Sequence, residues 1–186
     1  KRDNRSAAGV TVGGHFDNRA LDRKRAGGGF SHRLHFNTCR PEQLFAPPER
    51  IFPLIADFKA WSAWSPWEKK DPGLKRSFSG SESGVGARYA WAGDKNVGEG
   101  SMTIVEAVAP GRLGLKLDFV KPFEAHNDVA FALQPQGQAT MVTWTMTGPV
   151  PFFAKIIHVV MNMDKMIGGD FEAGLKALKA QAERFG

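Results

Sequence analysis

Thr147-Gly-Pro-Val-Pro-Phe-Phe, followed by Met161-Asn-Met-Asp-Lys-Met-Ile-Gly-Gly-Asp-Phe-Glu-Ala-Gly-Leu175, decides how this chain folds. A strand ends at Gly148-Pro149, and Pro151 prevents its return to a ladder. Met163, Met166, Ile167, Phe171, Leu175, Leu178, Ala182 and Phe185 then recur every three or four residues, which predicts one long amphipathic helix. Lys176, Lys179, Glu183 and Arg184 lie off that stripe. Gly168-Gly169 is its weakest point, a place where a bend is expected.

Upstream the period changes from helical to two. Strands are expected over Lys75–Phe78, Ala87–Trp91, Gly98–Val108, Leu113–Val120, His126–Leu133 and Thr140–Thr147. The breaks fall at 92–96, 109–112, 121–122 and 134–138, all rich in Gly, Pro, Asn or Gln. Leu113/Leu115/Leu117/Phe119, Val129/Phe131/Leu133 and Val142/Trp144/Met146 alternate with mixed residues. That pattern suits antiparallel strands covered on one face. Before them, Pro47-Pro48 opens a short helix with Ile51, Phe52, Leu54, Ile55 and Phe58 on an apolar face. Trp61 and Trp64 then share one side of a turn that Pro66 is expected to stop.

The net charge of +6 is confined to the start: residues 1–40 hold nine Lys/Arg and three Asp/Glu, whereas residues 41–186 hold sixteen of each. Composition therefore divides the chain into a basic, Gly/Arg-rich extension over 1–40, expected to be disordered, and a single domain over 41–186. A charge-neutral domain argues against nucleic acid as the partner of the folded part. Cys39 is the only cysteine, so no internal disulfide or cysteine zinc cage forms. With no run of apolar residues long enough to span a bilayer and no visible secretory signal, the expectation is a cytoplasmic protein.

Several stretches in this order resemble one family. They are Ala46-Pro-Pro-Glu-Arg-Ile-Phe-Pro-Leu-Ile-Ala-Asp, Trp61 with Trp64-Ser-Pro-Trp, Ser83-Gly-Val-Gly-Ala, Leu117-Asp-Phe-Val-Lys-Pro-Phe-Glu-Ala, Val142-Thr-Trp-Thr-Met-Thr-Gly-Pro and Met161-Asn-Met-Asp-Lys-Met. Together they are similar to the SRPBCC superfamily, in its polyketide cyclase/dehydrase and lipid transport branch, over about residues 45–185. The resemblance implies an α+β, START-like helix-grip fold. In it a curved antiparallel sheet wraps a long C-terminal helix, with two short helices after the first strand and an apolar cavity between sheet and helix. A first strand should precede Ala46, yet Arg40-Pro-Glu-Gln-Leu-Phe45 offers only a short one with Pro41 inside it.

Strand parity selects the residues expected to face that cavity: Tyr89, Trp91, Met102, Phe119, Asn127, Phe131, Trp144 and Met146. Phe153 and Met163 are expected to join them from a movable lid between the last strand and the helix. The same parity argument carries Met102/Ile104 forward to Glu106. His126 falls on the opposite face, and His158 reads as a helix-face residue. Gly84-Val-Gly86 and Gly98-Glu-Gly100 open no helix after a parallel strand and are turns, not phosphate loops. No spacing assigns a catalytic residue, a metal ligand or a cofactor. Three readings follow: binding of a hydrophobic small molecule (lipid or polyketide-like), a polyketide cyclase/dehydratase, or a co-chaperone-like interaction module.

Overall fold

A computed structural model describes residues 35–149 and 157–184, with side chains for 36–149 and 167–184. Of the extension expected over residues 1–40, residues 1–34 lie outside them.

Seven strands form one antiparallel sheet: β1 (His35–Leu44), β2 (Lys75–Gly80), β3 (Ala87–Ala92), β4 (Glu99–Val108), β5 (Arg112–Lys121), β6 (Ala125–Gln136) and β7 (Ala139–Pro149). Their order is β1-β7-β6-β5-β4-β3-β2, so the first two strands are the two edges. Helix α1 (Pro48–Ala56) and two 3₁₀ helices, Phe58–Ala63 and Pro66–Lys69, follow β1, and α2 (Ile157–Ala182) closes the inner face. This is the helix-grip arrangement.

The first strand is longer than expected. It begins at His35, takes in residues assigned by composition to the extension, and pairs with β7 from His35↔Pro149 to Leu44↔Thr140. Pro41 is tolerated because an edge strand has a side with no ladder to supply. Pro66 does not simply stop the preceding turn; it opens the next one, where its fixed φ suits the first position. β6 runs through Pro135 to Gln136, and only Gly137-Gln138 connects it to β7. Gly137 has φ +63, the backbone state that a tight hairpin needs at its first central residue.

Helix α1 buries Ile51, Phe52 and Ile55, and it ends where Asp57 accepts the amide N–H of Lys59. Its last carbonyls are not wasted: the Trp61 and Trp64 indoles donate to Ile55 and Leu54 carbonyls at 3.0 and 2.9 Å. The two tryptophans are thereby turned onto the sheet, where both meet Phe131 and Trp144, and Trp67 joins the block through Trp144 and Phe171. Trp144 lies flat on Phe171 of α2, with ring centroids 4.1 Å apart. Gly174 allows this approach, because a Cβ there would sit 2.8 Å from the Trp144 ring and 3.1 Å from Pro66. α2 is continuous through Gly168-Gly169, and a side chain at 168 would overlap the Arg40 guanidinium. Along β1 the helix is fastened by Arg40–Glu172 at 3.1 Å, Lys179–Glu42 at 3.4 Å and the Phe45 amide on Glu183 at 2.7 Å.

Candidate binding face

The ladder registers arrange the inner face in rows. One row runs Phe36, Gly148, Asn127, Leu117, Met102, Tyr89, Phe78 across all seven strands. Beside it lie Met146, Val129, Leu115 and Ile104 on one side, and Phe119, Gly100 and Trp91 on the other. The next row carries Trp144, Phe131 and Leu113.

The structure therefore brings the expected strand residues onto one face but divides them. Phe131 and Trp144 are 0% and 2% exposed and stand in the packed aromatic block beneath α2. Tyr89, Trp91, Met102, Phe119, Asn127 and Met146 form a second group beyond it. In that group Trp91 stacks on Tyr89 at 5.9 Å and meets Phe119 edge-on at 5.7 Å. Gly100 makes room for the Trp91 indole, since a Cβ would approach its ring to 2.7 Å. The side chains of Phe153 and Met163 lie outside the described residues.

Asn127 is 6% exposed, and among the described residues its amide has no hydrogen-bond partner. Gly148 is directly opposite, and a Cβ there would overlap Asn127 Oδ1. The amide thus lies over bare backbone within a row of apolar side chains. Among the described residues the one fully buried side-chain nitrogen or oxygen without a partner is Trp144 Nε1, inside the ring cluster, so the Asn127 amide, though its residue is largely covered, keeps some accessible surface.

Glu106, expected inside, is outside. A bulge between Ile104 and Glu106 places one extra residue, Val105, opposite the Leu115–Gly114 step and reverses the parity that follows. Ala107 takes the inward place opposite Leu113, while Glu106 turns out to meet Arg112 at 3.2 Å. His126 is outward as expected, between Asp118 at 2.7 Å and Glu124 at 3.3 Å. Asp118, by its hydrogen bond first, holds that imidazole above its usual range.

One polar cluster was not anticipated. The Tyr89 hydroxyl donates to Glu68 Oε1 at 2.6 Å, and Arg76 Nε donates to Glu68 Oε2 at 2.5 Å. The Glu68 side chain is only 7% exposed, so this carboxylate is buried and fully engaged. Glu68 sits in a short turn with no period, and only the fold brings it to a tyrosine 21 residues away. Burial, and then the Glu68 hydrogen bond, push the Tyr89 phenol far above its ordinary range. Tyr89 is the single tyrosine of the chain, so a phenolate absorbance titration reads it alone. Its ionisation is expected well above pH 10 in the folded protein and lower in Glu68→Gln, though still raised because burial persists. The unfolded chain releases this proton near pH 10, so stability should fall as pH rises past that point. A phenol titrating at pH 10 in the folded wild type would show the hydroxyl to be solvated.

Among the described residues no group of His, Cys, Asp and Glu side chains could hold a metal ion. No described helix is long and apolar enough to cross a membrane. A cleft of about 120 Å³ between the Asp57–Lys59 turn and the β2–β3 hairpin is too small for most organic ligands and is separate from Asn127.

A structure from Thermobifida fusca determined by NMR in solution is similar at 21% identity and TM-score 0.61, over 80% of this chain and 93% of that one. Protein MLL2253 from Mesorhizobium loti aligns at 15% identity and TM-score 0.60, over 80% and 98%. The Aha1 dimer from Colwellia psychrerythraea aligns at 15% and 0.55, over 80% and 96%. At such identities the likeness is one of fold. A comparison with curated protein sequences found no match. Residues 41–183 match the family model for polyketide cyclase / dehydrase and lipid transport proteins, and with the seven-stranded sheet closed by α2 the chain belongs to that family.

Proposed function

We propose that the domain binds a hydrophobic small molecule, of lipid or polyketide type, between the inner sheet face and α2. The observation that carries this reading is Asn127, 6% exposed, whose amide has no hydrogen-bond partner among the described residues and stands among Leu117, Met102, Phe119 and Met146. The amide keeps some accessible surface, and a ligand that pairs with it gains a hydrogen bond worth about 0.5–1.5 kcal/mol. The surrounding side chains supply about 25 cal/mol for each Å² of apolar ligand surface removed from water. Trp91, Phe119, Met102 and Met146 line the proposed space and Phe131 and Trp144 form its packed end; the proposal also keeps Phe153 and Met163, which lie outside the residues with described side chains. The sequence leads to a cytoplasmic protein acting without a cofactor, and both remain part of the proposal.

A neutral apolar fluorophore such as N-phenyl-1-naphthylamine is expected to bind the folded protein with saturable, one-to-one stoichiometry. Asn127→Ala should leave that affinity nearly unchanged, because the probe has little to offer an amide. Binding only on unfolding, or without saturation, would count against a container and favour an interaction module.

The cyclase/dehydratase reading has one observation in its favour: Tyr89 and Glu68, two titratable groups, meet at 2.6 Å on the same face. A phenol that exchanges its hydrogen bond to Glu68 for one to a substrate carbonyl would leave the carboxylate an oxygen with which to accept a proton. That reading requires Glu68→Gln to abolish turnover of a linear poly-β-ketone while probe affinity is retained.

A further inference from the structure

The two edges of the sheet are finished differently. At one edge β1 carries Pro41 and is fastened to α2: Lys179 meets Glu42 and donates to the Gln43 carbonyl at 2.8 Å, and the Phe45 amide donates to Glu183. At the other edge β2 has no proline, keeps an unbroken register with β3 and is exposed at all six residues, which no other described strand is. A regular, exposed edge presents backbone N–H and C=O groups with which a further strand can pair.

The sequence of this edge is complementary to itself. Two copies of one strand, paired antiparallel about a two-fold axis, must place one residue opposite its own copy, because directly opposite side chains share a face. With Phe78 at that centre, Ser77 faces Ser79 and Arg76 faces Gly80 of the second copy, so no cation meets a cation across the ladder. Lys75 comes opposite Ser81, beside Glu82 on the hairpin, and the basic start of each β2 meets the acidic end of the other. Phe78 is 43% exposed and already lies against Tyr89, with ring centroids 5.3 Å apart, so little side-chain freedom is lost when two such rings meet. Gly80 has no side chain to crowd the facing Arg76, which keeps its bond to Glu68. We propose that β2 is a self-association edge: two copies of this chain pair antiparallel through it, centred on Phe78, into one sheet continuous across both. Six residues make a short edge, so the buried area lies below about 1,200 Å² and the dissociation constant is expected on the order of 10–100 µM.

The experiment is sedimentation equilibrium of the full chain from about 5 µM to about 500 µM, a range that brackets the expected constant. The weight-average mass should rise from that of one chain towards that of two. Phe78→Lys sets two ammonium groups face to face at the centre and should raise the dissociation constant about tenfold or more. Lys75→Glu should weaken association about threefold to fivefold, and adding Glu82→Lys to it should restore the wild-type value. Both of these side chains are exposed, so the charge exchange reads the contact even if Phe78→Lys fails to fold. A single-chain mass at every concentration overturns the proposal and leaves the edge to an extended segment of another protein. Association unchanged in a folded Phe78→Lys overturns it as well, because the contact then lies on another face. Failure of the exchange to restore association rules out the antiparallel register, and the self-pairing with it.

Discussion

A chain that begins at Ala46 is expected to lose its cooperative unfolding transition, whereas one that begins at Arg33 keeps it. The shorter chain lacks β1, which pairs with β7 along ten register positions. Its loss exposes the inner half of β7 at one edge and removes Leu44, which is fully buried, and Thr38, which is nearly so. Truncating one buried leucine alone costs about 2–5 kcal/mol. α2 also loses its fastenings, since Arg40, Glu42 and the Phe45 amide hold Glu172, Lys179 and Glu183. A domain stable by roughly 5–15 kcal/mol does not survive the sum. Residues 1–32, by contrast, have a composition that buries little, and we propose that they are dispensable for folding. Thermal melts followed by far-UV circular dichroism decide both halves. A retained transition in the Ala46 chain would make β1 an accessory, and a lost one in the Arg33 chain would give the extension a structural role.

Trp144→Ala is expected to cost about 3–5 kcal/mol, and Thr143→Ala a small fraction of that. Trp144 is 2% exposed and touches rings of Trp61, Trp64, Trp67, Phe131 and Phe171. Removing the indole opens a space bordered by two layers, the 3₁₀ turns and α2, neither of which can collapse without the other. Thr143, one residue along β7, faces the opposite side, half-buried, beside Pro41 and Ala132. For a domain of this size the tryptophan variant should melt roughly 10 °C lower. Urea unfolding at constant m-value measures both. Similar small effects for the two residues would mean that the inward set of β7 is misassigned.

Both expectations draw on features of unequal legibility. The β2–β7 meander and its inward residues could be read directly, because alternation continues unbroken along β5, β6 and β7. Asn127 was legible for the same reason: it lies two residues before Val129 on a strand without irregularity. Glu106 was not, because a bulge adds a residue without leaving a mark in the alternation; Val105 is as suitable for a regular strand as for a bulged one. β1 was misjudged in length, since Asn37, Cys39, Pro41 and Gln43 face outward at an edge and read as irregular sequence. The contribution of Glu68 depends on how a 3₁₀ turn settles over β3, which no local period encodes. Gly148 and Gly174 read as breakers in isolation, yet each is a space occupied by a particular side chain.

The aromatic block has an optical consequence. All five tryptophans of the chain are accounted for: Trp61, Trp64, Trp67 and Trp144 are joined by ring contacts of 4.7 to 6.3 Å, and Trp91 has Tyr89 and Phe119 as its ring neighbours instead. Indoles that close, held at fixed tilt, couple their transitions, so the four act as one chiral chromophore and excitation migrates among them. Trp91 absorbs and emits beside Asn127's row, in different surroundings. The molecule therefore carries two separable intrinsic signals, one tied to the packing of α2 against the sheet and one to the surroundings of Trp91 beside Tyr89 and Phe119.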